Sequence, residues 1–249
     1  MGAEVSHVGP AGAPPAAIRD HCLLMRRALY ILSVALITAG LVIGADVAMT
    51  LAWREPLSTV YGSIQQSKAA DSLDKLKLEF PEPAEVHDTA DRSRDIAKRA
   101  NRLAGDCAGK VETGNGIGRI EIPSIGVDIV VVQGTDTASL QKGPGHYPDT
   151  AFPGQGKTIG IAGHRTTYLA PFRKINDIAD GDEITLEMPY GTFVYVVQKH
   201  EIVDPSQVEI VDDVGYERLV LTACHPLYSA AQRWAVFAKL ERIETLSSG

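Results

Sequence analysis

Residues 28–51 read ALYILSVALITAGLVIGADVAMTL, apolar on every face and interrupted only by Asp46. Residues 28–45 alone are long enough to cross the hydrocarbon of a bilayer as a helix. Arg19, Arg26 and Arg27 stand just before the run. The excess of basic residues on that flank keeps the N-terminus in the cytoplasm and places everything after Trp53 outside the plasma membrane. A buried core helix would not be apolar all round with arginines at its edge. A cleaved signal peptide would carry a shorter apolar region and a small-residue cleavage site, so we read an uncleaved, single-pass anchor.

This topology divides the three cysteines. Cys22 lies on the cytoplasmic side, so only Cys107 and Cys224 can meet in the oxidising exterior. Cys107 sits in an Ala-Gly-Asp-Cys-Ala-Gly linker and reads as incidental. Cys224 reads as a free thiol, since a bridge would consume a reactive group.

Around the span, the first 18 residues are rich in Ala, Gly and Pro and read as a disordered tail. The expected organisation is a cytoplasmic tail over 1–27, an anchor over 28–53, a helical stalk over 54–113 and a β-rich domain over 114–249. In the stalk, Leu73, Leu76 and Phe80 recur at helical spacing before Pro81-Glu82-Pro83, and Asp88-Thr89 offers a cap for a second helix through Leu103. We read these helices as solvated, lifting the domain off the membrane. His87 lies in the same stretch.

From Gly116 the texture changes to short β-rich runs with Gly/Pro punctuation. Strands are predicted over 118–122, 127–132, 157–162, 183–188, 192–203, 218–224 and 234–240. A hairpin turn is predicted at Pro189-Tyr190-Gly191 and a short helix over 171–178. Seven or eight strands with so little helix imply a closed barrel or a sandwich. Residues 111–249 hold eleven Lys/Arg against eighteen Asp/Glu, accounting for the whole net charge of −7. A domain of that sign repels polyanions, which argues against nucleic acid as a partner.

Cys224 closes the apolar run Leu219-Val220-Leu221-Thr222-Ala223 and is followed by His225-Pro226. Arg233 lies nine positions on, and Gly163-His164-Arg165 about sixty back. A thiol at the tip of a buried strand, with an imidazole and a guanidinium in reach, is the equipment of acyl transfer through a thioester. Each member has a task. The thiolate attacks a carbonyl, an imidazole moves the proton, and a permanently charged fork steadies the oxyanion. At ordinary values roughly 3% of thiols and about a quarter of imidazoles are charged at neutral pH, so the reactive pair is scarce and turnover slow.

Residues 114–242 resemble the sortases, the membrane-anchored cysteine transpeptidases of Gram-positive bacteria. The resemblance rests on Gly143-Pro144-Gly145-His146-Tyr147-Pro148, Pro153-Gly154-Gln155-Gly156, Ile161-Ala162-Gly163-His164-Arg165-Thr166-Thr167-Tyr168, Gly181-Asp182 and the Cys224/Arg233 pair, in that order. Where the family usually has Thr-Leu-x-Thr-Cys, this chain has Val220-Leu221-Thr222-Ala223-Cys224, keeping the leucine and the cysteine and lacking both threonines. His164-Arg165-Thr166-Thr167 and Cys224-His225-Pro226 resemble class E, the housekeeping enzymes of actinobacteria, with class D the near alternative.

The resemblance implies a closed eight-stranded β-barrel, an all-β fold with short helices. It implies Cys224, His164 and Arg233 as catalytic residues, with His146, Tyr147, Thr222 and Ala223 lining the substrate site; an equal alternative for His146 is that it simply orders its Gly/Pro turn. The implied substrates are secreted proteins bearing a Leu-Pro-x-Thr-Gly or Leu-Ala-x-Thr-Gly sorting signal, cleaved between Thr and Gly. The implied acceptor is an amine of a peptidoglycan precursor of lipid II type.

Other residues read more plainly. His225 adjoins the nucleophile, but neighbours in an extended chain point to opposite faces, so it reads as wall or turn. The same alternation turns Arg165 away from the imidazole. His200 reads as solvated or structural, and Arg119, Arg173 and Arg218 as surface charges. No histidine pair stands at metal-ligand spacing. Gly156-Lys157-Thr158 lacks the upstream glycine of a phosphate loop, and Gly114-Asn115-Gly116-Ile117-Gly118 precedes a strand, so no cofactor is expected. Two competing readings are a cross-linking L,D-transpeptidase, whose Ser-x-Gly-Cys run is absent, and a catalytically silent wall-binding β-domain.

Overall fold

Alternating apolar residues give most strands one face to bury, and the computed structural model solves that demand by closing the sheet on itself. It describes residues 16–52, 56–86 and 93–248, with side chains over 25–49, 58–86 and 93–248. The Asp88-Thr89 cap, His87, the first 15 residues and Trp53 lie outside the described residues, and so does the side chain of Cys22.

The chain divides into two compact units, Met1–Ala52 and Trp53–Gly249. The first contains helix α1, Ala16–Ala52. Its segment Met25–Met49 has a mean hydropathy of 2.3, and all of its side chains are exposed. With side chains such as Leu29, Ile31 and Leu41 exposed, the segment is long and apolar enough to cross a membrane and is consistent with a membrane anchor. The helix begins at Ala16, so Arg26 and Arg27 are part of it and the expected tail is helical from there on.

The second unit opens with α2, Pro56–Lys77, and α3, Ser93–Ala108, separated by the short strand β1, Pro83–Glu85. Eight further strands follow: β2 Gly116–Ile122, β3 Val127–Gln133, β4 Gly145–His146, β5 Thr158–Gly163, β6 Glu183–Met188, β7 Gly191–Val203, β8 Arg218–His225 and β9 Gln232–Ser247. Their order is β9-β7-β6-β2-β3-β4-β5-β8, and β8 pairs back onto β9 to close the barrel. The long β9 carries β8 along its first half and the edge strand β1 at its far end. Pro83 is tolerated because β1 has a neighbour on one side only. Bulges in the β7–β9 ribbon bend it around the barrel. The interior is filled by residues such as Ile120, Ile161, Phe172, Tyr195, Leu221 and Val236.

The two helices of the expected stalk are not solvated; they are packed on the barrel. Ala69 and Leu73 of α2 cluster with Val130 and Val132 of β3. Leu76, Phe80, Ala100, Leu103 and Cys107 join the main core, and Cys107 is wholly buried, its thiol pushed up to about 12 by desolvation. Gln66 clasps β3 through both amide atoms, its Nε2 donating to Val130 O at 2.9 Å and its Oε1 accepting from Val130 N at 3.0 Å. The sequence motif was sound, but apolar spacing alone does not say what a helix face meets. Leu73→Ala should therefore cost about 2–3 kcal/mol, the lower part of the usual range because its cluster is small. A urea unfolding midpoint checks this, whereas a solvated stalk would give no change.

Candidate active site

Strand β8 is flanked by β5 on one side and β9 on the other, which brings the three expected residues to one place. The parallel β5–β8 ladder pairs Gly160 with Val220, Ala162 with Thr222 and Gly163 with Ala223. Cys224 is the next residue on β8, and His164 follows directly where β5 ends at Gly163. On the other flank Cys224 is directly opposite Arg233. Directly paired residues share a face, so Cys224 and Arg233 stand on the same side of the sheet.

Alternation sorts the neighbours. Ala223 turns inward and is 3% exposed in the core, whereas Thr222 and Arg233 line an outward groove of about 540 Å³. Tyr147 lines the same groove, its hydroxyl 2.8 Å from Thr222 Oγ1. Its ring lies flat on Gly160, where a Cβ would come within 2.6 Å of Tyr147 Cδ2. Gly163 is pressed in the same way by Phe172, whose Cδ2 would be 2.4 Å from an added Cβ. That close approach seats the chain just before His164, and Phe172 N donates to His164 O at 3.0 Å.

Burial holds the His164 imidazole below its usual pKa, so its charged share at neutral pH is under the quarter expected of a free ring. Its Nε2 is buried without a hydrogen-bond partner. The Arg233 Nη1 donates to the carbonyls of Ala230 and Gln232, both at 2.9 Å, which tethers the fork. Its other donors have no protein partner among the described residues. Cys224 and Cys107 are both free thiols.

Arg165 was expected to turn away from the imidazole. It is 6% exposed and runs beneath the nucleophile, donating from Nη1 to Cys224 O at 3.2 Å and from Nη2 to Asn176 Oδ1 and Arg173 O. It therefore ties the strand end that bears Cys224 to the segment that follows His164. His225 is on the far side, its ring 5.4 Å from that of Trp234 and its Nδ1 3.4 Å from Arg165. Arg218 is not a surface charge; it is 9% exposed and donates to the carbonyls of Ile210 and Asp212.

His146 does not reach the groove. It is 1% exposed, with Nδ1 3.0 Å from Gln133 Oε1 and Nε2 2.9 Å from Ala151 O, so its ring orders the turn. Desolvation pulls its pKa down to about 4. The unfolded chain binds that proton at a higher pH, near 6.5, so protons favour unfolding between the two values. Stability should be whole above pH ~6.5 and fall as the pH drops toward ~4. Urea unfolding across that window checks this, and His146→Gln should flatten the slope.

One buried carboxylate had no signal in the sequence. Glu217 accepts from Gly154 N, Gly156 N and Tyr195 Oη at 2.9, 2.8 and 2.7 Å, and burial raises its pKa. It anchors the Pro153–Gly156 turn beneath the barrel.

Residues 120–241 match the family described as Sortase domain. Sortase D of Bacillus subtilis (strain 168) is 34% identical over 177 residues, covering 70% of this chain and 84% of that one. The solved structure of Sortase E1 from Streptomyces coelicolor, with a tripeptide in its active site, is 30% identical. It superposes with a TM-score of 0.51 over 53% of this chain and 91% of that one. A Sortase D5 transpeptidase of Clostridium perfringens, at 24% identity, shares the fold with a TM-score of 0.55 over 71% of this chain and 99% of that one.

Proposed function

This chain belongs to the sortase family of cysteine transpeptidases, and from that premise we propose that it cleaves a Leu-Pro-x-Thr-Gly or Leu-Ala-x-Thr-Gly sorting signal between Thr and Gly. The acyl group then passes to an amine of a peptidoglycan precursor. The observation that supports this reading is the register, which sets Cys224 opposite Arg233 on β9 and just past the Ala223–Gly163 pair, where His164 follows β5.

In the first half, the Cys224 thiolate attacks the threonine carbonyl carbon, and the Arg233 fork stabilises the oxyanion in a partly dry groove. The C–N bond breaks as His164 protonates the departing glycine amine. In the second half, the acceptor amine gives its proton to His164 and attacks the thioester, forming a new amide and freeing the thiol. The buried His164 Nε2 has no protein hydrogen-bond partner to compete for that proton. Tyr147 and Thr222 line the groove beside the acyl chain.

In this reading α1 is a single-pass anchor, with Arg26 and Arg27 at its cytoplasmic end and the barrel outside the cell. The reading as an L,D-transpeptidase gives way to the family assignment, and so does that of a silent wall-binding domain. Competition between the two sorting peptides, with cleavage products resolved by mass, tests the proposal. One peptide should be cut at the Thr–Gly bond in preference to the other, and failure to cut either would refute it.

A further inference from the structure

We propose that Tyr168 is a positioning residue for His164, and that α2, the helix following the apolar span in the chain, holds Tyr168 in place. The Tyr168 ring lies against the imidazole, centroids 5.3 Å apart at 42°. Tyr168, Leu169 and Ala170 have φ of 48°, 67° and 44°, three successive left-handed residues without a glycine among them. Such a run costs free energy and persists only where its surroundings impose it.

The surroundings are specific. Gln141 Nε2 donates to the Tyr168 hydroxyl at 3.2 Å, and Tyr168 N donates to Ser58 Oγ of α2 at 3.4 Å. Tyr61 of α2 meets the Tyr168 ring edge-on at 6.2 Å. At Gly62 the helix backbone comes so close that an added Cβ would lie 3.1 Å from Leu169 Cγ and 3.2 Å from Tyr168 Cα. A Cβ there would make this segment give by a few tenths of an ångström, and a larger side chain by more.

The consequence falls on His164. The ring is half-buried, and desolvation is what holds its affinity for a proton down. Tyr168 supplies the cover on the side facing α2. The benefit to acyl transfer rests on the function proposed above, but the positioning does not, and it can be read without substrate.

The test uses the full chain in detergent micelles at pH 8, with diethyl pyrocarbonate as the probe and peptide mass spectrometry as the readout. Exposed His200 serves as the reactive reference and buried His146 as a marker of the intact fold. Tyr168→Ala should raise the modification rate of His164 relative to His200 by about fivefold or more, and Gly62→Leu should do likewise by pushing the segment off. Tyr168→Phe keeps the ring and should stay within about twofold of the parent. If Tyr168→Ala exposes His146 and so fails to fold, Gly62→Leu carries the test. An unchanged His164 rate in a variant with His146 still protected overturns the proposal, as does a Tyr168→Phe rate equal to that of Tyr168→Ala. A parent chain that cuts no sorting peptide would refute the proposed function and leave this result standing.

Discussion

Replacing Cys224 with alanine takes cleavage of a sorting peptide down to the uncatalysed rate, a fall of about 10⁴-fold or more, with the fold intact. The side chain is a half-buried free thiol at the end of β8, so its loss removes little packing. No other described group can take its place: Cys107 is wholly buried in the core, and its thiol is raised to about 12. Cys224→Ser should be nearly as inactive, because a hydroxyl beside a weakly basic imidazole is scarcely ionised. Chromatographic assay of the released fragment, with thermal unfolding as the control, checks both variants.

Arg233→Ala should lower kcat by about 10²–10³, equivalent to roughly 3–4 kcal/mol of oxyanion stabilisation. In the proposed role the fork meets the carbonyl under attack from its register position opposite Cys224, while its Nη1 is held by the carbonyls of Ala230 and Gln232. Arg233→Lys should recover only part of the loss, since an ammonium is a point charge without the planar pair of donors. Steady-state kinetics on purified variants separates this from a binding defect, because removal of a transition-state contact lowers kcat more than it alters KM. Activity within a few-fold of the parent in Arg233→Ala would contradict the assignment.

The barrel was legible because its strands are long enough to show alternation and end at Gly or Pro. Glu183–Met188 was found at its observed bounds, and β7 and β8 were each short by one residue. β1 and β4, at three and two residues, are too short to carry a period, and the second half of β9 hid behind its charged residues. The expected helix over 171–178 shrank to a 3₁₀ turn, Ile175–Asp177, because the stretch opens on Pro171 and packs Phe172 inward.

At the site, residue types were legible and environments were not. Cys224, His164 and Arg233 stand out because acyl transfer requires those side chains, but only the register sets Cys224 opposite Arg233 and beside the end of β5. Arg218 looked like a surface charge because its buried fork is satisfied by backbone carbonyls, and a carbonyl leaves no mark in a sequence. His146 and Ala223 belong to sequence motifs that border the groove while their side chains point into the barrel. In the sequence Tyr168 is only the last residue of the Ile161–Tyr168 motif; what makes it notable is a backbone conformation and a helix more than a hundred residues earlier.

The central claim is that one sulfur carries the acyl group. Intact-protein mass spectrometry of the full chain, quenched in acid after incubation with each sorting peptide, reads this directly. The account predicts a mass gain equal to the peptide acylated through its threonine, lost on treatment with hydroxylamine and absent in Cys224→Ala. No adduct with either peptide, or an adduct that survives in Cys224→Ala, would contradict it.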